Sequence, residues 1–235
     1  RISAPLHVTV RVTGVPESVL EEKMQGLERP GLEIGFRTKL PENHVKLRFE
    51  PGFPAAERLA LVEEVRARIG WRAFGVDSGD LAEVVGQALA ARGETLALAE
   101  SCTAGSLSAW VGSVPGASRY LLEGAVVYSN EAKVRTCGVD PALLEEHGAV
   151  SEPVARQLAR GIRARAGATW GIGITGIAGP GGGTEAKPVG TVHVALAGLE
   201  TFEEHRALRI PGDRARVVSL SAAAALEMLW RRLSV

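Results

Sequence analysis

The chain of 235 residues is poor in several things at once. It has two cysteines, Cys102 and Cys137, too few for a disulfide framework or a four-thiolate zinc site, so a reducing cytoplasm is the expected setting. It has no net charge, with 27 basic residues set against 27 acidic ones. That balance disfavours a strongly basic nucleic-acid binder, although a local patch can sit inside a neutral total. No apolar run approaches the roughly 20 residues that a membrane span needs. The Ala-rich stretch from Leu220 to Leu233 is interrupted by Glu227, Arg231 and Arg232 and reads as an amphipathic helix. None of the five histidines forms an i, i+4 pair or sits beside a cysteine, so no metal site is expected. There is no signal-peptide pattern, no internal repeat, and the chain opens on Arg1-Ile2 rather than Met, as a fragment would.

What is present divides into two halves. In the first, Leu6, Val8, Val10 and Val12 alternate with His7, Thr9 and Arg11, the period of a half-buried strand. Pro16 to Leu27 reads as a helix with Val19, Leu20, Met24 and Leu27 near one face. Leu32 to Phe36 and Val45 to Phe49 read as strands, Pro54 to Ile69 as a helix with Leu59, Val62, Val65 and Ile69 apolar, and Ala73 to Val76 as a short strand. The order β-α-β-β-α-β predicts a small α+β domain over residues 1–77, ending at a hinge, Asp77-Ser78-Gly79-Asp80. The second half, 78–235, is richer in Gly and Ala. Helices at 81–91, 130–137, after Asp140-Pro141 and after Ser151 alternate with strands at 95–99, 124–128, 171–175 and 189–197. A further strand falls near 206–210, and Asp213 caps the last helix. That alternation predicts a layered α/β domain.

Three polar segments each follow a strand in this second half. Glu100-Ser101-Cys102-Thr103-Ala104-Gly105 lies at a strand-to-helix turn, where unpaired amides favour an anion or a developing oxyanion. From the local pattern Ser101 or Thr103 reads first as a helix cap, and Cys102, with no nearby histidine, as a buried inert thiol. Tyr128-Ser129-Asn130-Glu131-Ala132-Lys133 offers Tyr128 and Lys133 as a proton-transfer pair, because a desolvated lysine loses its proton more readily. Against this stands an ordinary surface lysine on a short helix capped by Ser129. Gly176 to Gly183 has five glycines in eight positions and matches neither a Walker loop nor a dinucleotide fingerprint. Ligands gather beyond the carboxyl ends of strands in such sheets.

Taken together, these segments resemble the C-terminal domain of the CinA family. The matching stretches are Ala99 to Thr103, Tyr128 to Lys133, His147-Gly148-Ala149-Val150-Ser151-Glu152, and Gly176 to Pro180 running on to Lys187-Pro188-Val189-Gly190-Thr191-Val192. Ala104 stands where the family commonly has glycine. The first half resembles the KH-like middle domain of longer CinA proteins, without a clear Gly-X-X-Gly clamp, so RNA binding does not follow. The molybdopterin-binding-like domain that comes first in those proteins is not part of this sequence. The resemblance implies a metal-independent nicotinamide-nucleotide amidohydrolase that needs no cofactor and releases ammonia from nicotinamide mononucleotide. It implies Ser101 as nucleophile, and Tyr128 and Lys133 as proton-transfer groups with the direct base left open. It also implies substrate contacts from Glu100, Cys102, Thr103, Gly105, Asn130, Thr175, Gly176, Ala178, Gly179, Gly182 and Lys187. Family likeness and the small residues of the last helix point to a homo-oligomer. The rival reading is a non-catalytic nucleotide-binding module in which Ser101 only caps a helix.

Overall fold

The computed structural model describes residues 4–234 and resolves into two compact units, dividing within one helix between Val84 and Val85. The first contains β1 (Leu6–Thr13), α1 (Glu17–Met24), β2 (Leu32–Lys39), β3 (Glu42–Phe49), α2 (Ala55–Ile69) and β4 (Ala73–Val76), in the predicted order. Its antiparallel sheet runs β2-β3-β1-β4. Alternation places Val10, Val12, Val45, Leu47 and Phe49 on one face, where they bury against Leu20 and Met24 of α1 and Leu61, Val62, Val65 and Ile69 of α2. Each such large apolar side chain contributes about 1.5–3 kcal/mol on burial. Two expected core members lie outside: Leu59 is 70% exposed and Val19 37%, because Leu61 and Leu20 take the inward positions. Asp77, read as hinge, still belongs to the sheet edge. Its amide donates to the Thr9 carbonyl at 2.9 Å and its carboxylate accepts the Thr9 amide at 2.8 Å.

The helix α3 (Leu81–Arg92) leads into the second unit. There follow β5 (Leu96–Glu100), α4 (Ser106–Gly112), β6 (Leu121–Val126), α5 (Asn130–Cys137), α6 (Pro141–His147), α7 (Glu152–Ala166), β7 (Trp170–Gly176), β8 (Thr191–Ala197), β9 (Glu203–Arg209) and α8 (Arg214–Leu233). The sheet order is β6-β5-β7-β8-β9: the first three strands are parallel, and β8 and β9 extend the sheet antiparallel. The chain is therefore a mixed α/β protein with two sheets. Strand β6 begins earlier than the expected 124 and stops before Val127 and Tyr128, which turn away toward α5.

Close helix-on-sheet packing sets the position of the strand ends. A Cβ on Gly173 would come within 2.5 Å of the Ala155 carbonyl and 2.6 Å of the Ala159 amide, so only glycine lets α7 lie this near to β7. Ala155 and Ala159 meet Ala195 and Ala197 of β8 in the same small-residue layer. The last helix, α8, buries Ala222 to Leu229 within its own unit and packs on β7, β8 and α4. The small residues Ala222 to Ala225 are buried in that packing. Among the described residues, no helix is long and apolar enough to cross a membrane.

Candidate active site

All three parallel strands deliver polar residues to one edge of the sheet. Strand β5 ends at Glu100, and the Ser101 amide continues its pairing by donating to the Ile174 carbonyl at 3.0 Å. On the other side the Val127 amide donates to the Glu100 carbonyl at 2.8 Å. Ser101 thus lies between the end of β6 and Thr175 of β7. It is 8% exposed, and Thr175, whose hydroxyl donates to the Ala149 carbonyl at 2.7 Å, is 1% exposed.

The turn after β5 departs from the sequence reading. Neither Ser101 nor Thr103 caps the next helix: the cap position is Gly105, at φ 93°, and the capping group is the Glu100 carboxylate. Buried completely, it accepts the amides of Gly105 (3.1 Å), Leu107 (3.0 Å) and Ser108 (2.7 Å) and the Ser108 hydroxyl (2.6 Å). A side chain five residues before the cap position does what the cap residue ordinarily does. Glu100 therefore faces into the fold, a correction to its expected place among substrate contacts, and the amides at the start of α4 are not open to an anion.

Accounting for the remaining amides of this turn is informative, since buried backbone groups are nearly always paired. Ala104 donates to the Ser101 carbonyl and Ser106 to the Thr103 carbonyl. Among the described residues, the Cys102 and Thr103 amides have no backbone acceptor, and the fully buried Thr103 hydroxyl has no partner. These two amides directly follow Ser101.

Lys133 is the second departure. A surface lysine was the ordinary reading, yet Lys133 is 1% exposed. Its ammonium donates to the carbonyls of Val127 and Tyr128, both at 3.0 Å, which pins it at the end of β6 beside the Ser101 turn. Burial pushes its pKa below the usual lysine range. Burial drives the Cys102 thiol up to about 12 and the Cys137 thiol to about 11, so both stay protonated at neutral pH. Ser129 caps α5 through the Ala132 amide, as expected.

Tyr128 is 57% exposed, and its hydroxyl accepts a hydrogen bond from Arg214 at 3.2 Å. The same guanidinium donates to the Gly179 carbonyl at 3.0 Å. Arg214 was not singled out in the sequence; the signal for it was the Asp213 cap, which fixes Arg214 as the first residue of α8. Gly176 fits tightly, since a Cβ there would come within 3.0 Å of the Cys102 sulfur and 2.7 Å of Val192. Ala178 is buried, and Gly182 adopts φ 84° farther along the loop. Lys187 is tied to the His147 carbonyl at 2.7 Å, and Asn130 lines a groove between α5 and α6 with Val134, Pro141 and Leu144. Neither is held to the Ser101 turn by a hydrogen bond. Ser151 stands at the start of α7, but its hydroxyl donates back to the Gly148 carbonyl instead of capping.

Two histidines scattered in sequence meet in the sheet. His193 Nδ1 and His205 Nε2 are 3.0 Å apart in near-parallel rings, and His205 Nδ1 is 3.2 Å from the Glu152 carboxylate. Burial is the main cause holding both imidazoles below their usual pKa. Among the described residues, no group of three or more His, Cys, Asp or Glu side chains is arranged to hold a metal ion.

A mixed sheet whose parallel strands end at a sheltered serine, with a buried lysine from α5 beside it, defines an α/β domain with a polar candidate site. The family model for the CinA C-terminal domain matches residues 78–233, and the chain belongs to the CinA family. A CinA-like protein from Anaeromyxobacter sp. (strain K) is 49% identical over 231 residues, covering 96% of this chain and 56% of the relative. One from Myxococcus xanthus is 44% identical, covering 95% and 54%. The chain thus spans about half the length of the curated relatives it matches. Among solved structures, a CinA superfamily protein from Klebsiella pneumoniae aligns with TM-score 0.63 at 36% identity, covering 66% of this chain and 96% of that one. A competence/damage-inducible protein from Agrobacterium tumefaciens aligns with TM-score 0.62 at 33% identity, covering 67% and 98%.

Proposed function

We propose that this chain hydrolyses the carboxamide of a pyridine nucleotide such as nicotinamide mononucleotide, yielding the nicotinate nucleotide and ammonia without a metal ion. The observation that carries this reading is the buried Lys133 ammonium fixed beside the Ser101 turn. Burial favours neutral lysine, so Lys133 rather than the exposed, arginine-bonded Tyr128 is the base for Ser101. In the neutral form Lys133 takes the Ser101 proton as the serine oxygen adds to the carboxamide carbon. The oxyanion that forms needs main-chain donors at the turn that holds Ser101. The carbon–nitrogen bond then breaks, Lys133 returns the proton to the leaving amide nitrogen, and ammonia departs. Water enters on the resulting acyl-serine by the same proton path and releases the carboxylate.

The Gly176 to Gly183 loop, steadied by Arg214 on Gly179, is the assigned contact for the nucleotide's ribose and phosphate. Thr175 and Tyr128 border the reacting end. The test is ammonia release from nicotinamide mononucleotide with a chelator present, with the product identified by chromatography. Binding of the nucleotide without ammonia release would instead support a non-catalytic module.

A further inference from the structure

The first unit has a strand edge whose two sides differ in chemistry. β2 is an outer strand of its sheet. The Glu50 amide donates to the Gly31 carbonyl at 2.9 Å, and register pairs Glu33 with Arg48, Gly35 with Lys46 and Arg37 with His44. Antiparallel pairing alternates, so the main-chain groups of Glu33, Gly35 and Arg37 turn toward β3. Those of Ile34, Phe36 and Thr38 turn outward, along the free edge.

On the outer face of that edge stand Arg37 and Lys39, both exposed, and Lys46, exposed opposite Gly35. No atom lies within 4 Å of where a Gly35 side chain would begin, so the Lys46 chain has open space toward the edge. None of these three bases has an ion-pair partner among the described residues. Among the exposed acids of this face, Glu33 is closed by Arg48 at 2.7 Å and the Asp77 carboxylate is held on the Thr9 amide at 2.8 Å. Glu42 is buried and spent on Arg11 and the Leu81 amide. On the inner face, Ile34 and Phe36 are only half buried, packed against the core but not covered at the edge, and Leu40 just beyond is 47% exposed. Glu17 closes the end of that face through the Thr38 hydroxyl at 2.7 Å.

We propose that β2 is a docking edge for an extended acidic segment of another protein, in which acidic and apolar residues alternate. Such a segment adds as a further strand by pairing with the outward main-chain groups of Ile34, Phe36 and Thr38. Its acidic side chains lie beside Arg37, Lys39 and Lys46, and its apolar side chains continue the row of Ile34 and Phe36. A second copy of this chain is a poor occupant, because it would bring like charges together across the edge. A nucleic acid lacks support of another kind: among the described residues, the outer face of β2 and β3 carries no Phe, Tyr or Trp on which bases could stack. The charge balance of the whole chain conceals this local surplus of base.

The experiment uses the full chain and a fluorescein-labelled octapeptide of alternating glutamate and valine. Fluorescence anisotropy should give saturable binding that weakens as salt rises. R37E/K39E, checked for fold by circular dichroism, should weaken it about tenfold, the effect of two cross-strand charge pairs. K46E on its own should weaken it less. Hydrogen exchange at Ile34 and Phe36 should slow when peptide is added. Equal binding of a lysine–valine octapeptide, undiminished binding by R37E/K39E, or unchanged exchange along β2 would each overturn the proposal. So would tighter binding of a labelled thymidine dodecanucleotide that R37E/K39E abolishes, which would give the edge to nucleic acid.

Discussion

The carboxylate of Glu100 accepts both the amide and the hydroxyl of Ser108, at 2.7 and 2.6 Å, across a turn that contains Ser101. Under the proposed mechanism, structural and chemical duties are thereby divided between adjacent residues. Glu100→Ala removes the acceptor for four donors, and a loss of about 3–5 kcal/mol is expected, read as a lower denaturation midpoint. Ser101→Ala touches no cap and should change stability by no more than about 0.5 kcal/mol while abolishing ammonia release. Parallel melting curves and turnover assays check the pair. A Ser101→Ala protein that melts much lower yet still turns over would remove Ser101 from the mechanism.

Lys133 gives a pH signature. Its pKa is lowered in the folded chain, so between that value and the usual lysine value of about 10.4 the unfolded chain holds more protons. Stability relative to Lys133→Met should therefore rise with pH across that window, and the burial penalty should be fully present below it. The kcat/KM of the parent should climb with pH to a plateau reached below the ordinary lysine range. Lys133→Met should lose most turnover and lack that limb. A pH profile identical in the two proteins would exclude the lysine as base.

Arg214 joins Tyr128 to Gly179, and its removal should act on binding before chemistry. Arg214→Ala should weaken nucleotide affinity about tenfold, measured by titration calorimetry. Arg214→Lys should not restore it, since one ammonium cannot replace the guanidinium fork. Tyr128→Phe, which keeps the ring, should cost less than either.

The cysteines should be inert. Thiols held protonated at about 12 and 11 and buried at both positions should resist iodoacetamide at pH 7.5 in the folded protein and react fully in guanidinium. Intact-mass spectrometry distinguishes zero from two additions, and rapid labelling of the native chain would contradict the burial.

Limited proteolysis should cut between Asp77 and Asp80 and leave a stable fragment beginning near residue 78. Asp77 itself is tied to Thr9, so cleavage should favour its carboxyl side. A chain that resists cutting throughout this stretch would argue against two separable domains.

Much of the architecture was legible because burial repeats with the period of the backbone. Val8, Val10 and Val12 announced β1, and the turn residues after Ala99 and Thr175 announced the ends of β5 and β7, whereas β6 stops two residues before the expected Tyr128. Lys133 was not legible as a buried group, because the Val127 and Tyr128 carbonyls that receive its ammonium come from a neighbouring strand end. Glu100 was misplaced for a related reason: its partners are five to eight residues onward, outside the cap positions that sequence rules inspect. Arg214 and the His193–His205 contact required the antiparallel extension of the sheet and the return of the final helix. No local period encodes those.

That Arg214 opens the last helix has a consequence for synthesis. The first unit can condense as soon as it leaves the ribosome, since domains fold as units in order of emergence. The second cannot set the Arg214 contacts to Tyr128 and Gly179 until the final twenty-residue helix has been translated. Until Leu226 and Leu229 arrive, the nascent sheet lacks part of its apolar cover, the condition that recruits chaperones. A premature stop within α8 should therefore cost both solubility and the loop held by Arg214, whereas a tag placed before the first unit should disturb neither.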